Sequence, residues 1–311
     1  MFMEYNPSAE RAQIAIVLCT HNPNLNYLAK QLISLENQTF KDYELFINDD
    51  ASNLDLFERI NNLVSSTITN KYTIMRNQSN VGFAQNFIQS INNIKKFKYY
   101  SFCDQDDVWA NDKLQKSLEK IKNYNLYCSS SSLIDANDNL IGLNLLNIKP
   151  SFKNSLVQCI AGGNTYLFDN KVKKLVLKIP KSYVIPSHDW TIYQLAAAHD
   201  LNIIYDKSPS INYRLHHKNT IGTSFGLVAR LNRIKTLFSG VFREWNNQNV
   251  RILSLYQSSM STANQNILKI FKRDRDGNLI KRTRIFTKYL LRRSSFYQNA
   301  ALLISLIFKK I

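Results

Sequence analysis

The chain has 311 residues, 44% of them hydrophobic, which is enough for a sizeable core and excludes wholesale disorder. Its four cysteines, Cys19, Cys103, Cys128 and Cys159, are scattered with no C-x-x-C pair, which excludes a disulfide scaffold and points to a reduced, cytosolic protein. The net charge of +17 is uneven: from Lys207 onward 20 Lys and Arg meet only Glu244, Asp274 and Asp276, whereas the first 206 residues hold 20 basic and 20 acidic residues.

Met1 to Arg11 is polar and carries no apolar signal-peptide core. Ile14 to Cys19 then reads as a buried strand, and Leu25, Leu28, Leu32 and Leu35 fall at helical spacing after it. Tyr43 to Asn48 predicts a second strand, and Leu56, Ile60 and Leu63 a second helix. Tyr72 to Arg76 predicts a third strand, and Ala84, Phe87, Ile88, Ile91 and Ile94 a third helix. Lys98 to Cys103 is a fourth strand, followed by a helix through Leu114, Leu118 and Ile121. Such alternation predicts an α/β fold with a mainly parallel sheet covered by helices on both faces. Ligands of such sheets bind beyond the carboxyl ends of the strands. The residues there are Thr20-His21-Asn22, Asp49-Asp50 and Asp104 through Asp107, so three polar strand ends converge on one crevice.

After about residue 125 the pattern is less regular. Ala161-Gly162-Gly163-Asn164 is a turn or a close-approach loop, Pro186 to Asp189 precedes a helical pattern running to Ala198, and Tyr205 to His217 reads as a strand entering a polar turn. From about Leu227 the chain reads as basic helices. Its longest apolar run, Ala300 to Phe308, is broken by Ser305 and is far shorter than the ~20 residues a spanning helix needs.

Three carboxylates within the four residues Asp104-Gln105-Asp106-Asp107 repel one another unless a cation or strong donors balance them. Hard divalent ions favour such oxygen ligands, and Mg²⁺ often takes one or two carboxylates together with substrate phosphates. The alternative is a solvated acidic turn capping the helix near Asp112. Asp49-Asp50-Ala51-Ser52 is either a helix N-cap or a carboxylate acceptor for a nucleotide base, and Thr20-His21-Asn22 by itself reads as a strand-to-helix turn.

Together these segments resemble glycosyltransferase family 2, inverting enzymes with the GT-A fold. Residues 16–22 (IVLCTHN) are similar to the first strand and its T-Y-N type turn, with His21 in place of the aromatic. Gln38-Thr39-Phe40 and residues 44–52 (ELFINDDAS) resemble the second strand and its base-binding aspartate. Residues 80–87 (NVGFAQNF) match the N-x-G segment before the third helix. Residues 102–109 (FCDQDDVW) resemble the D-x-D-D-x-W form of bacterial rhamnosyltransferase-like members. Gly163-Asn164-Thr165, Ser187-His188-Asp189-Trp190 and Tyr213-Arg214-x-His216 continue that pattern, with Leu215 and His217 departing from its last turn. The resemblance covers roughly residues 13 to 222.

It implies a GT-A catalytic domain over residues 1–225 and a basic helical region over residues 226–311. It also implies a nucleotide-diphosphate sugar donor, a glycan or lipid-linked acceptor in bacterial surface polysaccharide or O-antigen synthesis, and Mn²⁺ or Mg²⁺ as cofactor. Asp106 or Asp107, with His216, would contact the metal, and Asp104 or Asp106 would lie near the ribose. Asp50 would meet the base beside Thr20, His21 and Asn22. Gly82 would allow close approach of the donor, Asn86 would line that pocket, and Arg214 would pair with the phosphates or pin its loop. Asp189 would be the general base that inversion requires. Trp190 and His188 are candidate acceptor contacts, Trp190 equally a core residue. An inactive relative retained as a membrane-associated carbohydrate-binding or scaffold protein is the alternative, against which the intact Asp104, Asp106, Asp107 and Asp189 speak.

Lys and Arg crowd Leu268 to Arg293, interleaved with Phe271, Ile285, Phe286, Tyr289, Leu290 and Leu291. Such a surface suits anionic lipid, with a partner-docking or merely solubilising region as the alternative, and no nucleic-acid-binding motif accompanies it. The expected location is therefore cytoplasmic, peripheral on the inner face of the inner membrane.

Overall fold

The computed structural model describes residues 13–216 and 239–311. A seven-stranded sheet forms its centre. Its strands are β1 (Ile14–Thr20), β2 (Tyr43–Asp49), β3 (Tyr72–Arg76), β4 (Tyr99–Cys103), β6 (Leu126–Ser129), β9 (Leu167–Asp169) and β10 (Ile203–Asp206), in the order β10-β6-β9-β4-β1-β2-β3. All pairs are parallel except those of β9, which runs antiparallel between β4 and β6. A four-stranded sheet lies at its edge, built from β5 (Val108–Trp109), β7 (Ser131–Ile134), β8 (Leu140–Asn144) and β11 (Ile211–Arg214) in the order β5-β11-β7-β8.

Every residue of β1 is buried, and its alternation divides the core. Ile14, Ile16 and Leu18 face one layer, packing with Leu28, Leu32 and Leu35 of α1 (Leu25–Glu36), Ile60 and Val64 of α2 (Leu54–Thr67), and Leu114 and Ile121 of α4 (Lys113–Ile121). Ala15, Val17 and Cys19 face the other, with α3 (Phe83–Asn93), α5 (Phe152–Ser155), α6 (Asn170–Val176) and α7 (His188–Ala198). α7 is buried on almost all sides, which explains its run of Ile192 to Ala198 without a polar face.

The same core cluster continues into the basic helices. Ile252 and Leu253 of α8 (Val241–Leu255), Leu268 and Phe271 of α9 (Thr262–Arg275), Ile285 of α10 (Leu279–Thr287) and Leu302 and Leu306 of α11 (Phe296–Ile307) all contribute to it. No helix among the described residues is long and apolar enough to cross a membrane. The four cysteines are free thiols.

Candidate active site

β1 and β2 end side by side, with Thr20 paired to Asp49. The Thr20 hydroxyl donates to Asp49 Oδ1 at 2.9 Å, and the Ser52 hydroxyl and amide donate to the same carboxylate. Immediately after each strand the backbone turns through a left-handed residue, Asn22 (φ 42°) and Ala51 (φ 57°). Such positive φ at non-glycine residues is uncommon and concentrates at functional turns. The turns interlock, since Asn22 N–H donates to Ser52 Oγ at 2.8 Å and Asn53 N–H to Asn22 Oδ1 at 3.2 Å. Asn53, not Asp49 or Asp50, caps α2.

Asp50 is buried, and its carboxylate accepts from Asn77 Nδ2 (2.8 Å), Val81 N–H (2.8 Å) and Gly82 N–H (2.9 Å). It thereby fixes the loop before α3. Gly82 has φ 86° and ψ 151°, a region only glycine adopts readily, and the space where a Cβ would stand is open. Beneath that loop Asn86 is buried, accepting from Asn48 Nδ2 (2.5 Å) and Asn77 Nδ2 (3.0 Å) and donating to the Asn48 carbonyl (3.0 Å). The exposed ring of His21 lies over this wall, its Nδ1 2.8 Å from the Asp50 carbonyl, while its backbone N–H donates to Gln105 Oε1 at 2.8 Å. That last bond joins the first strand end to the carboxylate cluster.

The cluster is shaped by a short ladder. β5, which directly follows Asp107, pairs antiparallel with β11, so the Tyr213-Arg214-x-His216 segment returns beside Asp106 and Asp107. His216 Nε2 sits 2.9 Å from Asp106 Oδ2, and its ring stacks on Tyr27 of α1 at 5.9 Å. Asp107 is fully buried and both its oxygens are engaged, by Arg214 N–H at 3.1 Å and by Asn164 Nδ2 at 2.5 Å. Burial and the charges of Asp106 and Asp104 hold its carboxyl well above the ordinary range. Asp104, half-buried, is pushed up to about 8 by burial and by the charges of Asp106 and Asp189. Crowded carboxylates whose protons are held this firmly favour a cation among them. Among the described residues no three His, Cys, Asp or Glu side chains already form a metal cage. An ion would therefore complete its shell with substrate oxygens, as Mg²⁺ commonly does.

Asp189, close enough for its charge to raise the Asp104 carboxyl, lies in the first turn of α7, whose N-cap is Ser187. Ser187 Oγ and Trp190 N–H (2.7 Å) donate to Asp189 Oδ1. Burial pushes the Asp189 carboxyl up to about 6, against the backbone N–H groups of Trp190 and Gly163, which pull it down. Its neighbour His188 is buried among Phe87 (ring centroids 4.2 Å), Phe102 (5.2 Å) and Phe83 (6.0 Å), and neither ring nitrogen has a hydrogen-bond partner. That apolar box drives the imidazole down to about 3, so it stays neutral. Gly163 lies against it. A Cβ there would overlap His188 Nε2 and stand 3.4 Å from Asp189 Cβ.

Several sequence expectations are corrected. Trp190 is core, its indole N–H donating to the Ser155 carbonyl at 2.6 Å and its ring stacking on Phe242 at 5.6 Å, so neither it nor the boxed His188 is placed to meet an acceptor. Asn86 is buried and bonded to Asn48 and Asn77 beneath the loop before α3. Thr20 is buried and turned toward Asp49. Arg214 is fully buried, donating to the carbonyls of Asp106 (2.9 Å) and Asp135 (3.2 Å), pairing with Asp138 (2.5 Å) and lying 4.3 Å over the Tyr27 ring. That geometry fits the expected role of pinning the loop. Gln105, Asn77 and Tyr27 were not singled out by sequence. Gln105 had a signal, being the polar residue inside the acidic run, but Tyr27 had none beyond its helical register.

A model of the family described as Glycosyl transferase family 2 matches residues 15–180, more than half of the chain. Among curated proteins the chain is 26% identical over 227 residues to the dTDP-rhamnosyl transferase RfbG of Shigella flexneri, covering 67% of this chain and 75% of that protein. It is 31% identical over 107 residues to an uncharacterized glycosyltransferase of Haemophilus influenzae, covering 34% of this chain and 40% of that protein. Among solved structures it resembles S. aureus TarS 1-349 in complex with UDP-GlcNAc (TM-score 0.55, 13% identity, covering 96% of this chain and 90% of that chain). It also resembles the mannosyltransferase PcManGT from Pyrobaculum calidifontis in complex with GDP-Man and Mn²⁺ (TM-score 0.52, 11% identity, 98% and 87% covered). At such identities these two likenesses establish the GT-A fold alone. With the family model spanning the strand ends, the carboxylate cluster and Asn164, the chain belongs to glycosyltransferase family 2 and is a glycosyltransferase.

Proposed function

We propose that this enzyme moves a sugar from a nucleotide-diphosphate donor to a hydroxyl of a glycan or lipid-linked acceptor, with inversion, in the synthesis of a bacterial surface polysaccharide. The observation that carries the reading is the nearness of two carboxylate environments, since the charge of Asp189 acts on Asp104. One holds Asp104 and Asp106 with His216, and the other is a single carboxylate, Asp189, raised to about 6. A base with a pKa near working pH combines adequate ionisation with proton affinity.

In this account Asp189 takes the proton of the acceptor hydroxyl as its oxygen bonds to the anomeric carbon and the bond from that carbon to the diphosphate breaks. Ser187 Oγ and the Trp190 N–H hold the carboxylate in place. The nucleotide base rests on the wall formed by His21, the Asp50 turn and Gly82, where the missing side chain leaves room. Asp104 is available to the ribose.

The donor set fits a divalent ion, since Asp106 offers carboxylate oxygen and His216 an imidazole nitrogen 2.9 Å from it. Mn²⁺ or Mg²⁺, when bound, supplies positive charge against the leaving diphosphate. Asp106 and His216 would hold it, whereas Asp107 spends both oxygens on Arg214 and Asn164 and anchors the cluster.

The test is nucleotide-diphosphate release across a donor panel led by dTDP-rhamnose, with Mn²⁺ or Mg²⁺ and with EDTA. Release should require one donor and a divalent ion, and Asp106→Ala should lose it by about 10²-fold or more. Full turnover in EDTA together with full turnover in Asp106→Ala removes the metal assignment.

A further inference from the structure

We propose that α10 and α11 form an interfacial docking face that lies flat on an anionic lipid surface. α11 buries Leu302, Ser305 and Leu306 against the core. On the opposite side it exposes Phe296 (82%), Tyr297 (82%), Ile304, Ile307 and Phe308, a stripe at helical spacing turned to solvent. α10 adds exposed Leu279 and Ile280. The two helices are tied where this surface joins them, because Arg282 donates to the carbonyls of Leu306 (2.7 Å) and Ile307 (2.9 Å). A contiguous apolar stripe of this kind needs an occupant.

Charge identifies it. From Leu279 to Ile311 the sequence holds Lys281, Arg282, Arg284, Lys288, Arg292, Arg293, Lys309 and Lys310 and no acidic residue. Of these, Lys281, Arg284, Lys288 and Lys309 are exposed on or next to the same two helices. A second copy meeting the same face would set like charges against one another, which disfavours a dimer. An anionic bilayer satisfies both parts, with the aromatic and aliphatic side chains entering the headgroup boundary and the lysines meeting the phosphates. At 12 residues α11 is too short to span, so it lies along the surface. The inference goes beyond the catalytic reading and stands whether or not Asp189 is the base.

The experiment is flotation of the full chain with phosphatidylcholine vesicles, with and without phosphatidylglycerol. The variants are Phe296→Ser/Tyr297→Ser/Ile304→Ser and, separately, Lys281→Glu/Lys288→Glu, each checked by thermal melting and light scattering. Wild type should float only with phosphatidylglycerol and should be released by salt. The apolar variant should bind at least about ten-fold more weakly, and the charge-reversal variant should lose at least roughly five-fold per residue, both with unchanged melting. Absence of wild-type flotation overturns the proposal, as does flotation indifferent to phosphatidylglycerol or equal binding by folded variants. A wild-type oligomer that the apolar variant converts to monomer, without change in flotation, assigns the face to a second copy instead.

Discussion

Gly163→Ala is the most discriminating substitution away from the charged groups themselves. The added Cβ would overlap His188 Nε2 and lie 2.8 Å from its Cδ2, against an ordinary carbon contact of about 3.5–4.0 Å. The imidazole must therefore recede by about 1 Å. It has nowhere to go, because Phe87, Phe102 and Phe83 close the box behind it. The displacement passes to the first turn of α7, which carries Asp189. Overpacking of this kind costs about 1–3 kcal/mol, and a 1 Å misplacement of a reacting group costs about 10²-fold in rate. Urea unfolding reads the first quantity and steady-state nucleotide-diphosphate release the second. Gly163→Ala/His188→Ala should recover much of the rate, because removing the imidazole makes room. A single variant within about 0.5 kcal/mol of wild type and with unchanged kcat refutes the positioning argument.

Three further outcomes follow from the same geometry. Because the Asp189 carboxyl is raised from 3.8 to about 6 and must be ionised to act, kcat/KM should fall as pH drops through 6, to about one tenth at pH 5, in a pH–rate profile. A profile flat down to pH 4.5 contradicts it. Gly82→Ala meets no steric obstacle but must adopt φ 86°, so denaturation should report a loss of about 1–3 kcal/mol. Arg214→Ala removes buried charge-assisted hydrogen bonds and frees the segment carrying His216. Its stability should fall by about 1.5–3 kcal/mol, and its divalent-ion requirement for half-maximal activity should rise.

β1, β2 and β4 were legible because each is a mostly buried run ending in a polar turn, and the helices beside them repeat at 3.6-residue spacing. α7 was legible from the helical pattern after Pro186 to Asp189, and the Ser187 hydroxyl caps it. β9 was not legible, because three residues, Leu167 to Asp169, are too few to show a period and their antiparallel course depends on β4 and β6. The second sheet was hidden because β5 has two residues and the expected strand from Tyr205 is two short ones, β10 and β11, in different sheets. What the sequence could not tell about the site is the direction in which polar side chains turn. Arg214 and Asn86 look like ligand-binding residues by type, yet buried carbonyls and amides claim them. Trp190 looks like a sugar platform, yet a carbonyl and Phe242 hold it in the core.

The central claim is that Asp189 moves the proton while the carboxylate cluster holds the donor. The most direct measurement is kcat of Asp189→Asn with the donor and ion identified for wild type, alongside the affinity for that donor. The account predicts a fall in kcat of about 10²–10⁴-fold with donor affinity retained, because the amide keeps the shape but cannot accept the proton. Unchanged kcat in a folded Asp189→Asn protein contradicts it.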